Sequence, residues 1–420
     1  MHPIVRVACV VGLLLAGDSV RAADVEDRAR TERVADFDAF CRFVADDYAY
    51  FDRKKTDWPA VCAGSRAAAA AAPDRAAFVG VVERALGELY DFHAHLGTST
   101  PQSPRLVPTD ADLYAQWRGD VATIVDVRAA SGARDAGLRP GMRVIAIDGR
   151  TVGEVVAGLM PKHLRSADPA ACDWALRVAL AGHQDRQPVR LVVDQDGVRR
   201  ELSFVPHRER PDRPLTARRI GRIGVVEVHN TLGDTRLIAA FDAALDGLAD
   251  AQAIVLDLRD TPSGGNTTVA RGLMSRFVVR ESPYQKHERI AEWRDSGVRH
   301  VWIEMVGPRG QPFTRPVAVL VGRWTGSMGE GIAIGLNAAR GAPVFGTPMA
   351  GLLGALDEQR LVHADFVVRV PAERLSHVDG TPRESFRPCP VVVRAADAGD
   401  DPVLTAVVRL MSAAKRRCSR

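Results

Sequence analysis

The sequence predicts an α/β core with a mainly parallel sheet, preceded by a helical segment and a small β-rich segment. Two continuous apolar runs, residues 253–258 and 317–321, are typical of strands that are buried on both faces, as in parallel sheets. Each run is followed by a glycine-containing turn and then by a helical pattern. Because strands that alternate with helices are typical of α/β folds, we expect such a core over residues 209–420.

The first residues have the pattern of a secretory signal peptide, predicted over residues 1–22. A short basic start precedes the apolar run 7–17, and Val20 and Ala22 supply the small residues of a cleavage site. The run is too short to span a bilayer, and no later stretch reaches the ~18 apolar residues of a spanning helix. We therefore expect an exported mature chain without a membrane span, in a bacterial periplasm.

The next two segments differ in their periodicity. Apolar residues recur at helical spacing within residues 23–106, which predicts a helical subdomain that ends in a segment with two histidines. Residues 107–208 instead contain short strand patterns, a Pro-Gly turn at 140–141 and an Asp-Gly hairpin turn at 148–149. They predict a small β-rich domain.

Charge and cysteine content exclude some classes of function. The 56 basic and 52 acidic residues leave a net charge of only +4, without a long basic run, so nucleic acid is not an expected partner. No cysteine or histidine cluster has metal-ligand spacing, so we expect no structural zinc site. In an exported chain Cys41 and Cys62 are the expected disulfide, although two buried free thiols explain them equally well.

Ser327 follows the second apolar run, at a glycine-containing turn where a helical pattern begins near Met328. The free amides and the dipole of a helix start favour an anion at such a position. This suits a nucleophile whose attack on a carbonyl creates an oxyanion. The alternative is structural, with Ser327 as the helix N-cap and Glu330 completing a capping box.

Two further segments carry candidate functional groups. Gly264 and Gly265 follow the first apolar run and let backbone amides approach a carbonyl oxygen or a phosphate, although a purely structural turn explains them as well. The Gly-Lys-Ser/Thr ending of a phosphate-binding loop is absent there.

His93 is a candidate base, and a solvated histidine near a helix end is the alternative. A zinc pair with His95 lacks an evident third ligand.

Together these segments resemble peptidase family S41, the tail-specific or C-terminal-processing serine peptidases, over nearly all of the mature chain. The family's Asp-Leu-Arg strand ending matches residues 257–259, and the Gly-Gly pair that follows matches 264–265. Its Ser-x-x-Glu motif matches residues 327–330. Residues 132–150 resemble the core of a PDZ domain.

The resemblance also implies a set of catalytic residues. Leu352 stands where the C-terminal-processing branch has a catalytic lysine. The tricorn-like branch instead uses a histidine and a late glutamate, which His93 and Glu384 match. The resemblance implies Ser327 as nucleophile, His93 as general base and Glu384 as the group that orients His93. The N–H groups of Met328 and of Gly264 or Gly265 would form the oxyanion hole.

This resemblance implies an exported serine endopeptidase that acts through an acyl-enzyme and needs no cofactor. Its substrate would be a peptide or an unfolded protein, which the PDZ-like domain at 107–208 would bind or gate. Leu352 motivates an alternative, an inactive peptide- or ligand-binding protein on the same fold. A third hypothesis is another serine hydrolase activity, such as an esterase.

Overall fold

The computed structural model describes residues 10–207 and 211–413, with side chains described from residue 26 onward. The predicted signal peptide lies partly outside the described residues, and residues 10–22 belong to the first helix, α1 (Val10–Asp47). In the described part of the chain no helix combines the length and the apolar character that a bilayer crossing requires.

The N-terminal region consists of helices joined by short turns. Its elements after α1 are a 3₁₀ helix (Phe51–Arg53), α2 (Trp58–Ala70), α3 (Arg75–Gly87) and the short strand β1 (His95–Leu96). Asp57 and Asp74 cap α2 and α3 by accepting backbone N–H groups of the first turn. A disulfide joins Cys41 to Cys62, so the structure contains the pairing that the sequence left open.

The middle region is a six-stranded antiparallel sheet with helices on one face. Its elements are β2 (Leu113–Arg118), β3 (Val121–Val127), α4 (Gly132–Asp135), β4 (Arg143–Ile147), β5 (Arg150–Thr151), α5 (Val152–Leu159), α6 (Pro169–Ala181), β6 (Val189–Gln195) and β7 (Val198–Phe204). The strand order is β2-β3-β4-β6-β7, with β5 beside β4. Leu176 and Leu180 of α6 pack against Val144 and Leu191 in a separate hydrophobic cluster. Its PDZ-like character stays a prediction.

The C-terminal region contains most of the strands. Its first elements are β8 (Leu215–Ile220), β9 (Ile223–Val228), α7 (Arg236–Asp246), β10 (Ala253–Asp257), β11 (Asp260–Thr261), α8 (Thr267–Met274), β12 (Ser282–Arg289), α9 (Ile290–Ser296) and β13 (His300–Val306). Its later elements are β14 (Val317–Val321), β15 (Trp324–Thr325), α10 (Met328–Arg340), β16 (Val344–Gly346), β17 (Ala355–Leu361), β18 (Phe366–Ser376), two 3₁₀ helices (Arg383–Ser385 and Ala395–Asp397) and α11 (Pro402–Ser412).

The predicted mainly parallel sheet is confirmed. Its strand order is β16-β14-β10-β9-β8, in which all pairs are parallel except the edge pair β8–β9. Every residue of β10 and β14 is buried, as their apolar runs predicted. Helices α7, α8 and α10 cover one face of this sheet and α11 covers the other.

A second, antiparallel sheet was not anticipated from the sequence. Its order is β1-β18-β12-β13, with β17 also paired to β18. The sequence of β12 is polar, yet His287 of this strand is buried. Its Nδ1 lies 2.8 Å from Oε2 of Glu373 on β18, so the buried ring has a hydrogen-bond partner. Helices α1 to α3 pack on this sheet through Phe40, Val82 and Phe366, so the helical segment and the C-terminal region share one core.

Two very short strands position the site. Strands β11 and β15 pair in parallel, Asp260 beside Trp324 and Thr261 beside Thr325. The hydroxyls of both threonines donate to the carbonyl oxygen of Leu258 at the end of β10. The turns that follow β10 and β14 are therefore held side by side at the carboxyl end of the parallel sheet, the edge where α/β folds bind ligands.

Candidate active site

Ser327 occupies a strained turn between β15 and α10. Its φ of +50° and ψ of −113° lie in a region that residues with a Cβ rarely adopt, and such strain concentrates at functional sites. It is half-buried and stands at the N-cap position of α10, where the Glu330 carboxylate accepts its N–H at 2.8 Å. The predicted capping box is therefore present, and it is compatible with a nucleophile at the same position.

The Gly264–Gly265 turn lies directly against Ser327. A Cβ on Gly264, whose φ is +62°, would stand 2.4 Å from the Cβ of Ser327 and 2.9 Å from the Met328 nitrogen. A Cβ on Gly265 would meet the Leu232 carbonyl oxygen at 2.1 Å. Only glycines let this turn approach the serine so closely.

The predicted oxyanion donors differ in their availability. Met328 is the first residue of α10, where a backbone N–H has no partner within the helix. The Gly264 N–H instead donates to the Thr261 carbonyl oxygen at 3.2 Å. Of the two glycines, Gly265 is therefore the better candidate to accompany Met328.

Glu330 connects the Ser327 turn to a neighbouring segment, residues 351–354, which we call the 351–354 loop. The carboxylate is fully buried; its Oε1 accepts the Gly351 N–H at 2.9 Å, and its Oε2 accepts the Leu352 N–H at 3.3 Å. Burial raises the pKa of Glu330 to about 7, while the nearby Arg383 and these N–H groups favour the ionised form.

Leu352 stands where the resemblance placed a lysine in the C-terminal-processing branch. Its side chain is buried and lies near Gly326, where a Cβ would be 3.1 Å from its Cδ1. Its N–H donates to Glu330 and its carbonyl oxygen accepts from Arg383. The position therefore contributes backbone groups and an apolar side chain, but no amine that could act as a base.

His93 is buried two residues before β1, and β1 is held at the edge of the antiparallel sheet by β18. Its Nδ1 lies 2.5 Å from the Leu353 carbonyl oxygen. A carbonyl can only accept, so Nδ1 carries the proton and Nε2 is the nitrogen that can accept one. Burial, together with the Arg383 charge, lowers the pKa of His93 to about 3, against the opposing effect of the Leu353 and Gly354 carbonyls.

Glu384 does not contact His93, contrary to the role that the resemblance implied. Its carboxylate forms an ion pair with Arg53, and its Oε2 is buried without a hydrogen-bond partner in the described part of the chain. The Leu353 carbonyl oxygen already occupies Nδ1 of His93. The side chain that points toward the 351–354 loop is that of the preceding residue, Arg383.

His95 belongs to a different environment. Its Nδ1 lies 2.8 Å from the His93 carbonyl oxygen, and its ring lines a cavity of about 400 Å³ with Phe92 and Trp174. Within residues 10–207 and 211–413 we find no group of three or more side chains arranged to hold a metal ion.

The sequence analysis missed Arg383. It is fully buried beside the 351–354 loop, and only the three-dimensional structure brings it there. A lone arginine in a chain with many arginines gives no signal in the sequence. Glu330 was visible as part of the Ser-x-x-Glu motif, but its contacts with the amides of residues 351 and 352 were not.

Comparison with known proteins identifies the family. The sequence profile of "Peptidase family S41" matches residues 222–386, which contain the four parallel strands of the sheet, Ser327 and Glu330. The matched region belongs to peptidase family S41. The chain is a serine-type peptidase, and of the three predicted catalytic residues only His93 lies outside the matched region. A comparison with curated proteins finds no significant match.

Solved structures of peptidases share the S41 fold over most of the chain. Mature CPAF has a TM-score of 0.59 at 14% identity, covering 92% of this chain and 97% of its own. The photosystem II D1 C-terminal processing protease has a TM-score of 0.56 at 17% identity, covering 91% and 98%. A putative peptidase from Parabacteroides merdae has a TM-score of 0.52 at 14% identity, covering 90% and 96%. At these identities the likeness shows the fold alone.

Proposed function

We propose that this S41 peptidase is an endopeptidase that cleaves peptide bonds through an acyl-enzyme on Ser327. The observation that carries the proposal is the chain of contacts around the strained Ser327 turn. Gly264 packs against the serine, Glu330 holds its N–H, and Glu330 and His93 both bind the 351–354 loop.

In this mechanism His93 serves as the base. The Ser327 hydroxyl attacks the carbonyl carbon of the scissile bond, and its proton passes to Nε2 of His93. The tetrahedral oxyanion accepts hydrogen bonds from the Met328 and Gly265 N–H groups. Nε2 then returns the proton to the leaving amine, and a water molecule activated by His93 hydrolyses the ester.

The low pKa of His93 has a clear consequence for this chemistry. A pKa of about 3 keeps the ring neutral at every physiological pH, so its Nε2 lone pair is available, but it also makes the ring a weak base. The same burial makes the imidazolium costly in the free enzyme. The negative charge that develops on the substrate oxygen would stabilise the imidazolium in the transition state.

We further propose that the substrate is a peptide or an unfolded protein that the domain at 107–208 binds or gates. One structural neighbour is a C-terminal processing protease, which supports a protein substrate. An extended peptide could add to the edge of the antiparallel sheet in this domain.

Export to an oxidising compartment is part of the same proposal. The Cys41–Cys62 disulfide supports it, because disulfides persist in such compartments. The amino-terminal sequence of the mature protein tests it. We expect cleavage after Ala22, and a mature chain that begins at Met1 would contradict export.

The decisive experiment compares two serine variants. Wild-type protein, Ser327→Ala and Ser263→Ala are treated with a fluorophosphonate and assayed on a fluorescently labelled unfolded protein. Ser263 is the matched control, because it is an exposed serine in the neighbouring turn, hydrogen-bonded to Asn230. We expect Ser327→Ala to lose labelling and to lose turnover by on the order of 10⁶-fold, and Ser263→Ala to keep both.

Three outcomes would contradict the proposal. Turnover retained by Ser327→Ala would remove the serine from the mechanism. A wild-type protein that binds peptides but is neither labelled nor active would favour the inactive binding protein. If the wild-type protein cleaves esters but no peptide bond, the esterase hypothesis would replace the endopeptidase.

A further inference from the structure

Arg383 is the largest of the fully buried side chains in the described part of the chain, with 1% of its surface exposed. A guanidinium in a dry interior needs hydrogen-bond acceptors and a compensating charge. Its Nη2 has two acceptors, the carbonyl oxygens of Leu352 and Gly354, both at 2.9 Å. Its Nε has no acceptor among the described residues. A buried donor without an acceptor costs free energy of folding, so fold stability alone does not explain this arginine.

The two acceptors of Arg383 flank Leu353. One terminal nitrogen binds the carbonyls of residues 352 and 354, while the carbonyl between them binds Nδ1 of His93. The direction of the Leu353 carbonyl depends on the peptide units on either side of it. Arg383 therefore fixes the group that orients the His93 ring.

The same loop also connects to the nucleophile. The N–H groups of Gly351 and Leu352 bind Glu330, whose carboxylate accepts the N–H of Ser327. Nη2 of Arg383 lies 4.0 Å from Oε2 of Glu330, so the two buried charges compensate each other. Arg383 thus contacts both the loop that orients His93 and the carboxylate that holds the Ser327 turn.

We propose that Arg383 is a positioning residue: its guanidinium locks the 351–354 loop so that the Leu353 carbonyl holds His93 ready to act on Ser327. In this role the arginine and the loop carbonyl replace the carboxylate that the family resemblance had assigned to Glu384. The inference rests on the proposed function, because it presumes that His93 is the base.

The test separates the kinetic constants of two Arg383 variants. Arg383→Met removes the charge and both hydrogen bonds, and we expect kcat to fall about 10²-fold, as when a catalytic group is misplaced by ~1 Å. KM should stay within about 3-fold, because no part of Arg383 is proposed to touch the substrate. Arg383→Lys keeps the charge but not the planar fork, so we expect partial rescue, with kcat about 10-fold below wild type.

Arg276→Met is the matched control, because Arg276 is also a buried arginine but pairs with Asp242 and Asp246 of α7. It should keep kcat and KM. A folded Arg383→Met protein with wild-type kcat would overturn the inference. A variant whose KM rises as much as its kcat falls would overturn it too. If Arg383→Met does not fold, Arg383→Lys decides: a kcat equal to wild type would overturn the inference.

Failure of the proposed function would look different. In that case Ser327→Ala would retain turnover, or the wild-type protein would not be labelled at Ser327, whatever is done to Arg383. If Ser327 is labelled and essential while Arg383 is dispensable for kcat, only the positioning role fails.

Discussion

The nucleophile side and the base side of the site are built in different ways. Ser327 sits on a turn between regular elements, and its contacts come from the equivalent turn at Gly264 and from Glu330, three residues further along. His93 lies in a loop and is oriented by a carbonyl 260 residues away in sequence. The nucleophile is specified by local sequence, whereas the orientation of the base is specified by tertiary contacts.

Apart from the removal of Ser327 or His93 themselves, the largest effect is expected on the nucleophile side, from Gly264→Ala. The new Cβ would stand 2.4 Å from the Cβ of Ser327, at a φ of +62° that alanine rarely adopts, so the turn must shift. We expect kcat/KM to fall by ~10²–10³-fold, the loss typical of a damaged oxyanion hole. Steady-state kinetics on the unfolded-protein substrate measure it.

Gly233→Ala is the control for this change. A Cβ there meets nothing within 4 Å, and its φ is not in the left-handed region, so activity should be unchanged. If Gly264→Ala is as active as the control, the turn does not constrain Ser327 and the nucleophile side is less rigid than we describe.

A smaller effect is expected where the two sides meet, at Glu330. Its pKa of about 7 means that the carboxylate form, which accepts the Ser327 N–H, is lost as pH falls through 7. Wild-type kcat/KM should therefore rise as pH increases through 7. Glu330→Gln should lower the high-pH rate about 10-fold, because one N–H would then face an amide NH₂ instead of an oxygen.

The pH profile of Glu330→Gln makes this prediction specific. Without the carboxylate, kcat/KM should no longer change near pH 7. As pH is lowered, kcat/KM should fall only far below pH 6.5, because burial lowers the pKa of His93 to about 3. A limb that stays near 7 in Glu330→Gln would assign it to another group. A new limb near 6.5 would mean that His93 is more solvated than we describe.

The smallest effect is expected from Glu384→Gln. Glu384 pairs with Arg53 and not with His93. Its side chain is only 10% exposed, but that of Arg53 is 39% exposed, so water screens the pair. We expect kcat within about 3-fold of wild type, and the same for Arg53→Met, which breaks the same pair. A loss of ~10³-fold in Glu384→Gln alone would show that the glutamate reaches His93 in the working enzyme.

This contrast also explains how much could be predicted from the sequence. The parallel sheet was predictable because β10 and β14 are continuous apolar runs, and Ser327 because it follows one of them at a glycine turn. The antiparallel sheet was not predictable, because β12 has a polar sequence. Its buried His287 is satisfied by Glu373, which lies far along the chain. Arg383 was missed for the same physical reason.

The most direct test of the account is whether Ser327 and His93 act as one unit. Turnover is measured for Ser327→Ala, His93→Ala and the double variant. His95→Ala is the control, because the ring of His95 lines a separate cavity and its Nδ1 lies against a backbone carbonyl. We predict that each single change at Ser327 or His93 abolishes turnover, that the double variant is no worse than either, and that His95→Ala stays active. Losses that multiply in the double variant, or a fully active His93→Ala protein, would contradict the pairing of this serine with this histidine.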